Sequence, residues 1–290
     1  MVSLTPAGAQ SRVPRISYIR TPEGRHLDSH AAVATDKENE RVTSDIVIGG
    51  VRHRFGDVLA LEATDLTIPA HERLAIVGPS GCGKSTLLFA IAGLLEPTEG
   101  TIQIGADRTA RGRLRHCALM PQKDLLLPWR SALDNAALAL ENRGVSKQEA
   151  RSRAQPLFER FGLGEFESHS PAQLSGGMRQ RVAFLRTLMA DKEILLLDEP
   201  FAALDSITRA QMQEWLLGAL GSVPRTVVLV THDVDEALLL THKIIVLSAR
   251  PGRIMVTLDT NFPTNLPRRE IVTSPEFANL KQQALEALEC

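Results

Sequence analysis

The spacing of apolar and polar positions divides the chain into stretches of different period. Residues 1–44 mix Ser, Thr, Pro, Gly and both charge signs with no helical or strand period, and read as a flexible N-terminal extension. Order is expected from about Ile46. Asp45-Ile-Val-Ile-Gly and Leu61-Glu-Ala-Thr-Asp-Leu-Thr-Ile have strand composition with turn residues between them, which predicts a small antiparallel sheet. Arg73-Leu-Ala-Ile-Val is a short apolar run that halts at Gly78 and passes through a glycine-rich loop into Ser85-Thr-Leu-Leu-Phe-Ala-Ile-Ala, a strand-loop-helix unit. Residues 131–161 carry a helical period in Ala, Leu, Glu and Arg. Glu193-Ile-Leu-Leu-Leu-Asp and Thr226-Val-Val-Leu-Val-Thr read as buried strands on either side of a helix over 206–220, and this alternation predicts an α/β fold with a largely parallel sheet. Lys243-Ile-Ile-Val-Leu and Arg253-Ile-Met-Val-Thr-Leu are expected to close as a hairpin across Ala249-Arg-Pro-Gly, and residues 275–288 as a terminal helix. There is no internal repeat and no heptad array.

Composition narrows the classes. With 290 residues, 43% of them hydrophobic, the chain can fill a sizeable core. Its 33 basic and 34 acidic side chains leave a formal charge of -1, so no excess of positive field favours long nucleic acid or an anionic membrane, and any phosphate chemistry must be local. Cys82, Cys117 and Cys290 are widely separated and odd in number, which fits thiols in a reducing compartment. No apolar run reaches the roughly 18 to 20 residues of a membrane-spanning helix. Arg12, Arg15, Arg20 and Arg25 are scattered without the apolar core of a signal peptide. A cytoplasmic chain is the expectation.

Chemistry concentrates at Gly78-Pro79-Ser80-Gly81-Cys82-Gly83-Lys84-Ser85-Thr86, which fits the GxxxxGK[ST] pattern directly after an apolar strand and opening a helix. Glycines let such a loop wind around a phosphate so that backbone N–H groups and the positive helix end face the anion, while Lys84 adds a point charge. Ser85 is then placed to ligate Mg²⁺. The alternative is a glycine-rich turn with an accidental lysine. Leu195-Leu-Leu-Asp198-Glu199 supplies an acidic counterpart: Asp198, at a strand end, for the Mg²⁺ shell, and Glu199 to polarise an attacking water. Without that loop upstream, the two carboxylates would read as a solvated strand end.

Leu174-Ser175-Gly176-Gly177-Met178-Arg-Gln-Arg181 resembles the LSGGQ signature of ABC ATPases. Gln122, Asp205 after Pro200-Phe-Ala-Ala-Leu, and His232 in Thr231-His-Asp follow in the order of that family's Q-loop, D-loop and H-loop. The resemblance covers about residues 46–260. It implies a P-loop NTPase of the ABC ATPase type, with a RecA-like mostly parallel sheet core, an N-terminal antiparallel β subdomain and a helical signature subdomain. The ATPase domain would span 45–260, its helical part about 123–190, with a helical tail over 261–290. The resemblance further implies ATP as ligand, stacking of Phe55 on adenine, and capping of the γ-phosphate by Ser175, Gly176 and Gly177 of a second copy in a head-to-tail homodimer. Gln122 would sense Mg²⁺ and the γ-phosphate, and His232 would orient the water. For Phe55 a place in the core is the alternative. Met178 stands where the family usually has Gln, Phe55 where Tyr is commoner and Ala202 where Gly is frequent.

Gln122-Lys-Asp-Leu-Leu-Leu-Pro-Trp129, with Asp134-Asn135, resembles the LLPW segment of the nitrate, sulfonate and taurine importer ATPases, and Ser248-Ala-Arg-Pro-Gly-Arg-Ile254 resembles the same group's ending. That likeness implies transmembrane permease subunits docking near Leu127, Pro128 and Trp129, an extracytoplasmic solute-binding protein acting through the permease, and a peripheral position on the cytoplasmic face of the inner membrane. Core packing of Trp129 is the alternative. The run after Ser175, with Met212-Gln-Glu-Trp-Leu, also resembles hydroxymethylpyrimidine importer ATPases. Few residues follow 260, too few for the long regulatory domain of sugar-importer ATPases. Three rivals remain: an exporter, a soluble ABC ATPase acting on nucleic acid or the ribosome, and a non-catalytic nucleotide-binding regulator. The second usually shows a coiled coil, zinc-binding cysteines or two ATPase domains. The third needs a broken site, whereas Lys84, Ser85, Asp198, Glu199 and His232 are all present.

Overall fold

The computed structural model describes residues 44–222, 224–260, 262 and 266–289. The expected extension therefore lies outside the described residues, Ser44 excepted. In chain order the first elements are β1 (Ile46–Phe55), β2 (Val58–Ile68), β3 (Arg73–Val77), α1 (Lys84–Ala92) and β4 (Glu99–Ile104). Next come α2 (Ala110–His116), β5 (Cys117–Met120), α3 (Ala132–Glu141), α4 (Lys147–Arg160) and α5 (Gly176–Met189). The last are β6 (Ile194–Asp198), α6 (Ser206–Ser222), β7 (Thr226–Thr231), α7 (Val234–Leu240), β8 (Lys243–Leu247), β9 (Ile254–Asp259), α8 (Arg268–Val272) and α9 (Pro275–Glu289).

Two sheets result. The antiparallel one runs β2-β1-β4, and along β1 Ile46, Ile48 and Val51 face inward while Val47 is exposed, the alternation of a sheet with one wet face. The larger sheet runs β5-β6-β7-β3-β8-β9 and is parallel except for β9, which pairs antiparallel with β8 from Lys243↔Asp259 to Leu247↔Ile254. Every residue of β6 and β7 is buried, which is why those strands read as unbroken apolar runs rather than alternating ones. Ile46, Ile48 and Ile68 of the small sheet share one core with Leu74 and Ile76 of β3 and with Leu87, Leu88 and Ile91 of α1, so α1 is packed between the sheets.

The helical period over 131–161 resolves into two helices, because Gly144 takes φ +87° between α3 and α4. Ser131 and Ser146 cap them, their hydroxyls accepting from the N–H groups of Asp134 and Glu149. Phe158, Phe161 and Phe184 join Leu195 and Leu197 of β6 in a second core, which seats this helical layer on the large sheet. On the other face Phe277 and Ala284 of α9 pack on Ala75, Val77, Ile244 and Val246, and Lys281 pairs with Asp235 at 2.7 Å. Burying Phe277 alone is worth roughly 2 to 3 kcal/mol, so the terminal helix is a docked element. Among the described residues no helix is long and apolar enough to cross a membrane.

Candidate active site

β3 delivers the chain into the glycine loop at the carboxyl edge of the large sheet, where open α/β folds place their ligands. A Cβ at Gly78 would sit 2.8 Å from Cys82 Sγ and 3.0 Å from the Leu247 carbonyl, so no side chain fits. Gly83 takes φ +107° as the N-cap of α1, and a Cβ there would meet Leu61 Cδ2 at 2.7 Å. No side chain caps α1 and no acidic residue occupies its first turn, which leaves its leading N–H groups and positive dipole end available to an anion. Lys84 is buried, and its ammonium donates to the carbonyls of Gly78 at 2.7 Å and Pro79 at 2.8 Å.

The acidic residues stand at the ends of neighbouring strands. Asp198 closes β6, is buried, and accepts a hydrogen bond from the Ser85 hydroxyl. Burial pushes its carboxyl above the usual range, helped by the charge of Glu199, while the Ser85 bond and Lys84 pull the other way. Glu199 follows with a left-handed backbone, φ +47°, and its N–H is tied to the Val230 carbonyl at 2.8 Å. Gln122 Nε2 donates to Glu199 Oε2 at 3.0 Å, and His232 Nδ1, just past β7, lies 3.5 Å from Oε1. Ser85, Asp198 and Gln122 offer hard oxygen donors that suit Mg²⁺. Among the described residues no group of three or more His, Cys, Asp or Glu could hold a metal unaided, so an ion here would share its shell with phosphate and water.

A cavity of about 520 Å³ opens over this loop, lined among others by Phe55, Ser80, Gly81, Lys84, Ser85, Gln122 and Glu199. Phe55 is 53% exposed, its ring edge-on to His53, which removes the core-packing alternative for this side chain. Thr86 and Gly83 also line the cavity. Ser175, Gly176, Gly177 and Asp205 do not. Ser175 instead caps α5, its Oγ accepting from the Met178 N–H at 3.2 Å, with Ser175 and Gly176 exposed and no acid in the first turn. Asp205 accepts from the N–H groups of Ile207 and Thr208, bonds that hold its carboxyl below the usual range.

Trp129 is 77% exposed and Leu125 61%, which rules out core packing of this tryptophan. Their loop is nonetheless fixed. Buried Asn135 accepts from the Leu127 N–H at 2.7 Å and donates to the Leu127 carbonyl, while Arg186 donates to the carbonyls of Asp124 and Leu125 and Arg179 pairs with the Asp124 carboxylate at 3.0 Å. The stretch after Gln122 is thus clamped to the helix that Ser175 caps.

The sequence alone places neither of two further residues at this site, although Arg250 lies in the segment Ser248–Ile254 that resembles the importer group's ending. Arg250 also lines the cavity, its Nε donating to the Gly81 carbonyl at 3.1 Å. Glu236 of α7 is buried beside a small void that Glu199, His232 and Arg209 also line.

Comparison with known proteins places the chain. Residues 61–202 match the family model described as ABC transporter. A taurine import ATP-binding protein of Rhizobium johnstonii is 43% identical over 243 residues, covering 79% of this chain and 89% of that one. An aliphatic sulfonates import ATP-binding protein of Mesorhizobium japonicum is 43% identical over 239 residues, covering 82% and 86%. Among solved structures, a dimeric ATP-binding cassette in a post-hydrolysis state, bound to ADP and Pi, superposes with a TM-score of 0.69 at 32% identity, over 75% of this chain and 100% of that one. With relatives of this identity aligned along most of their own length, the chain belongs to the ABC transporter family.

Proposed function

We propose that this chain is the ATP-hydrolysing subunit of an importer for a small sulfonate, taurine or nitrate-like solute, working as a homodimer on the cytoplasmic face of a membrane permease. The observation that carries the reading is the composition of the cavity: one chain supplies the phosphate loop, Phe55, Gln122 and Glu199, yet none of Ser175, Gly176 and Gly177 lines it. An exposed, capped helix start without a ligand of its own is what a second copy needs to close over the γ-phosphate. The dimeric cassette bound to ADP and Pi supports that pairing. Names of the relatives favour the taurine and sulfonate class over hydroxymethylpyrimidine.

In this mechanism Phe55 stacks on adenine and the first N–H groups of α1 receive the β-phosphate. The Lys84 ammonium exchanges its two carbonyl partners for phosphate oxygens. Ser85, Asp198 and Gln122 would hold Mg²⁺, which when bound neutralises phosphate charge. Glu199 accepts the proton of the water that attacks the γ-phosphorus, with Gln122 fixing one carboxylate oxygen and His232 beside the other. Movement of Gln122 passes through Asp124 to Arg179 and Arg186, and so to α5. The exposed Leu125, Pro128 and Trp129 form the surface on which the permease docks.

The test is Glu199→Gln. The variant is expected to bind ATP, to lose turnover by at least about a hundredfold and to migrate as a dimer with Mg-ATP in light scattering. Near-normal hydrolysis would exclude Glu199 as the base.

A further inference from the structure

Arg250 is the second cation of the cavity wall, beside Lys84, and no step of ATP hydrolysis described for this site uses it. It lies far along the chain, in the turn between β8 and β9, yet that turn is pressed onto the phosphate loop. Gly252 donates its N–H to the Ala60 carbonyl at 3.0 Å and accepts from the Glu62 N–H at 2.9 Å. A Cβ at Gly252 would lie 2.1 Å from the Cys82 carbonyl, so backbone meets backbone there with no room for a side chain. Ser248 ties the turn from within, donating from Oγ to the Pro251 carbonyl at 2.9 Å and accepting from the Arg253 N–H at 3.2 Å. The root of Arg250 is therefore held at a fixed place beside the loop.

The guanidinium itself is exposed and makes one hydrogen bond, from Nε to the Gly81 carbonyl at 3.1 Å, and no carboxylate pairs with it among the described residues. A guanidinium has five N–H donors in a planar fork, so four remain uncommitted at the mouth of a cavity built for an anion. A side chain needed only to brace Gly81 would not require a charge.

We propose that Arg250 is a nucleotide-binding residue, its guanidinium anchored on the Gly81 carbonyl and its free N–H groups directed to the phosphate chain of the bound nucleotide. This rests on the reading of the cavity as a nucleotide site. The turn after β8 then acts as a second, long-range arm of the phosphate loop, and the affinity for nucleotide depends on how β8 and β9 are joined.

The experiment measures the dissociation constants of Mg-ADP and Mg-ATPγS for the full chain by titration calorimetry, at low and at moderate salt, for the parent, Arg250→Met, Arg250→Lys and Lys84→Ala. Arg250→Met is expected to weaken both nucleotides about tenfold and to flatten the salt dependence, while Arg250→Lys stays within about threefold of the parent. In steady state the loss falls on KM, with kcat at saturating ATP within about twofold. If Arg250→Met binds both nucleotides as the parent does, with an unchanged salt slope, while Lys84→Ala is weakened, the Arg250 assignment is overturned and the cavity reading stands. Absence of nucleotide binding by the parent, or parental affinity in Lys84→Ala, overturns the cavity reading itself. Should Arg250→Met lose its cooperative melt, Arg250→Gln, neutral but able to reach a carbonyl, takes its place in the titrations: weakened binding supports the assignment, and parental affinity with an unchanged salt slope overturns it.

Discussion

Gln122 and Glu199 are joined by a 3.0 Å hydrogen bond between side chains 77 positions apart, one on the loop after β5 and the other at the end of β6. The bond fixes the carboxylate proposed as the base and ties it to the loop proposed to face a permease. Replacing Gln122 by Ala is expected to lower kcat roughly tenfold, the worth of one hydrogen bond to a charged group, about 1.5 kcal/mol. KM for ATP should shift less than about threefold. Steady-state ATPase measurement decides; a fall confined to KM would assign Gln122 to binding alone.

Glu236 gives a dependence on pH. Burial first, then the charge of Asp233, raises its carboxyl from 4.5 to about 8, against the opposing pull of Arg209 and a Thr231 hydrogen bond and with a further push from Glu199. Because the folded value lies above the unfolded one, its contribution to stability is complete below about 4.5, is lost progressively as pH rises to about 8, and changes no further above that. Glu236→Gln cannot ionise. Its stability relative to the parent is therefore expected to rise between pH 5 and pH 8 by an amount on the order of a few kcal/mol, read from urea unfolding at a series of pH values. Parallel curves for the two proteins would contradict this.

Cys117 and Cys82 should be inert while the chain is folded. Burial, then the charge of Glu193, pushes the Cys117 thiol up to about 12, and Cys82 is a buried residue of the phosphate loop itself. Mass spectrometry after iodoacetamide at pH 8 is expected to find both unmodified in native protein and both alkylated in denaturant.

Trp129 separates its proposed docking role from stability. At 77% exposure it contributes little to the core, so Trp129→Ala should leave the melting temperature within about 2 °C of the parent. Co-purification with the cognate permease should fall steeply. Unimpaired assembly would place the docking surface elsewhere.

How much of this was readable beforehand follows from how local each signal is. β3, β6 and β7 are buried on both faces, so their apolar runs stand out, and the loop from Gly78 to Ser85 is defined by neighbours in the chain. β4 starts at Glu99 and Gly100 with three exposed positions, and β5 has only four residues, so neither displays a period. The short α2 and α7 escape for the same reason. Phe55 could not be assigned between core and surface because a side chain's exposure depends on what packs over it, and here, with the His53 ring edge-on to it, half its surface stays open to solvent. Arg250 reaches Gly81 across 169 positions of chain, a proximity created wholly by the turn seated on Ala60, Glu62 and Cys82.

With Glu199 as the proposed base, its positive φ sets evolution of heat resistance against turnover. A glycine at this position would relieve roughly 1 kcal/mol of left-handed backbone penalty and remove a carboxylate from beside Asp198. Libraries screened only for survival on heating should therefore drift toward Gly at 199, collecting hardy chains that lack the proposed base.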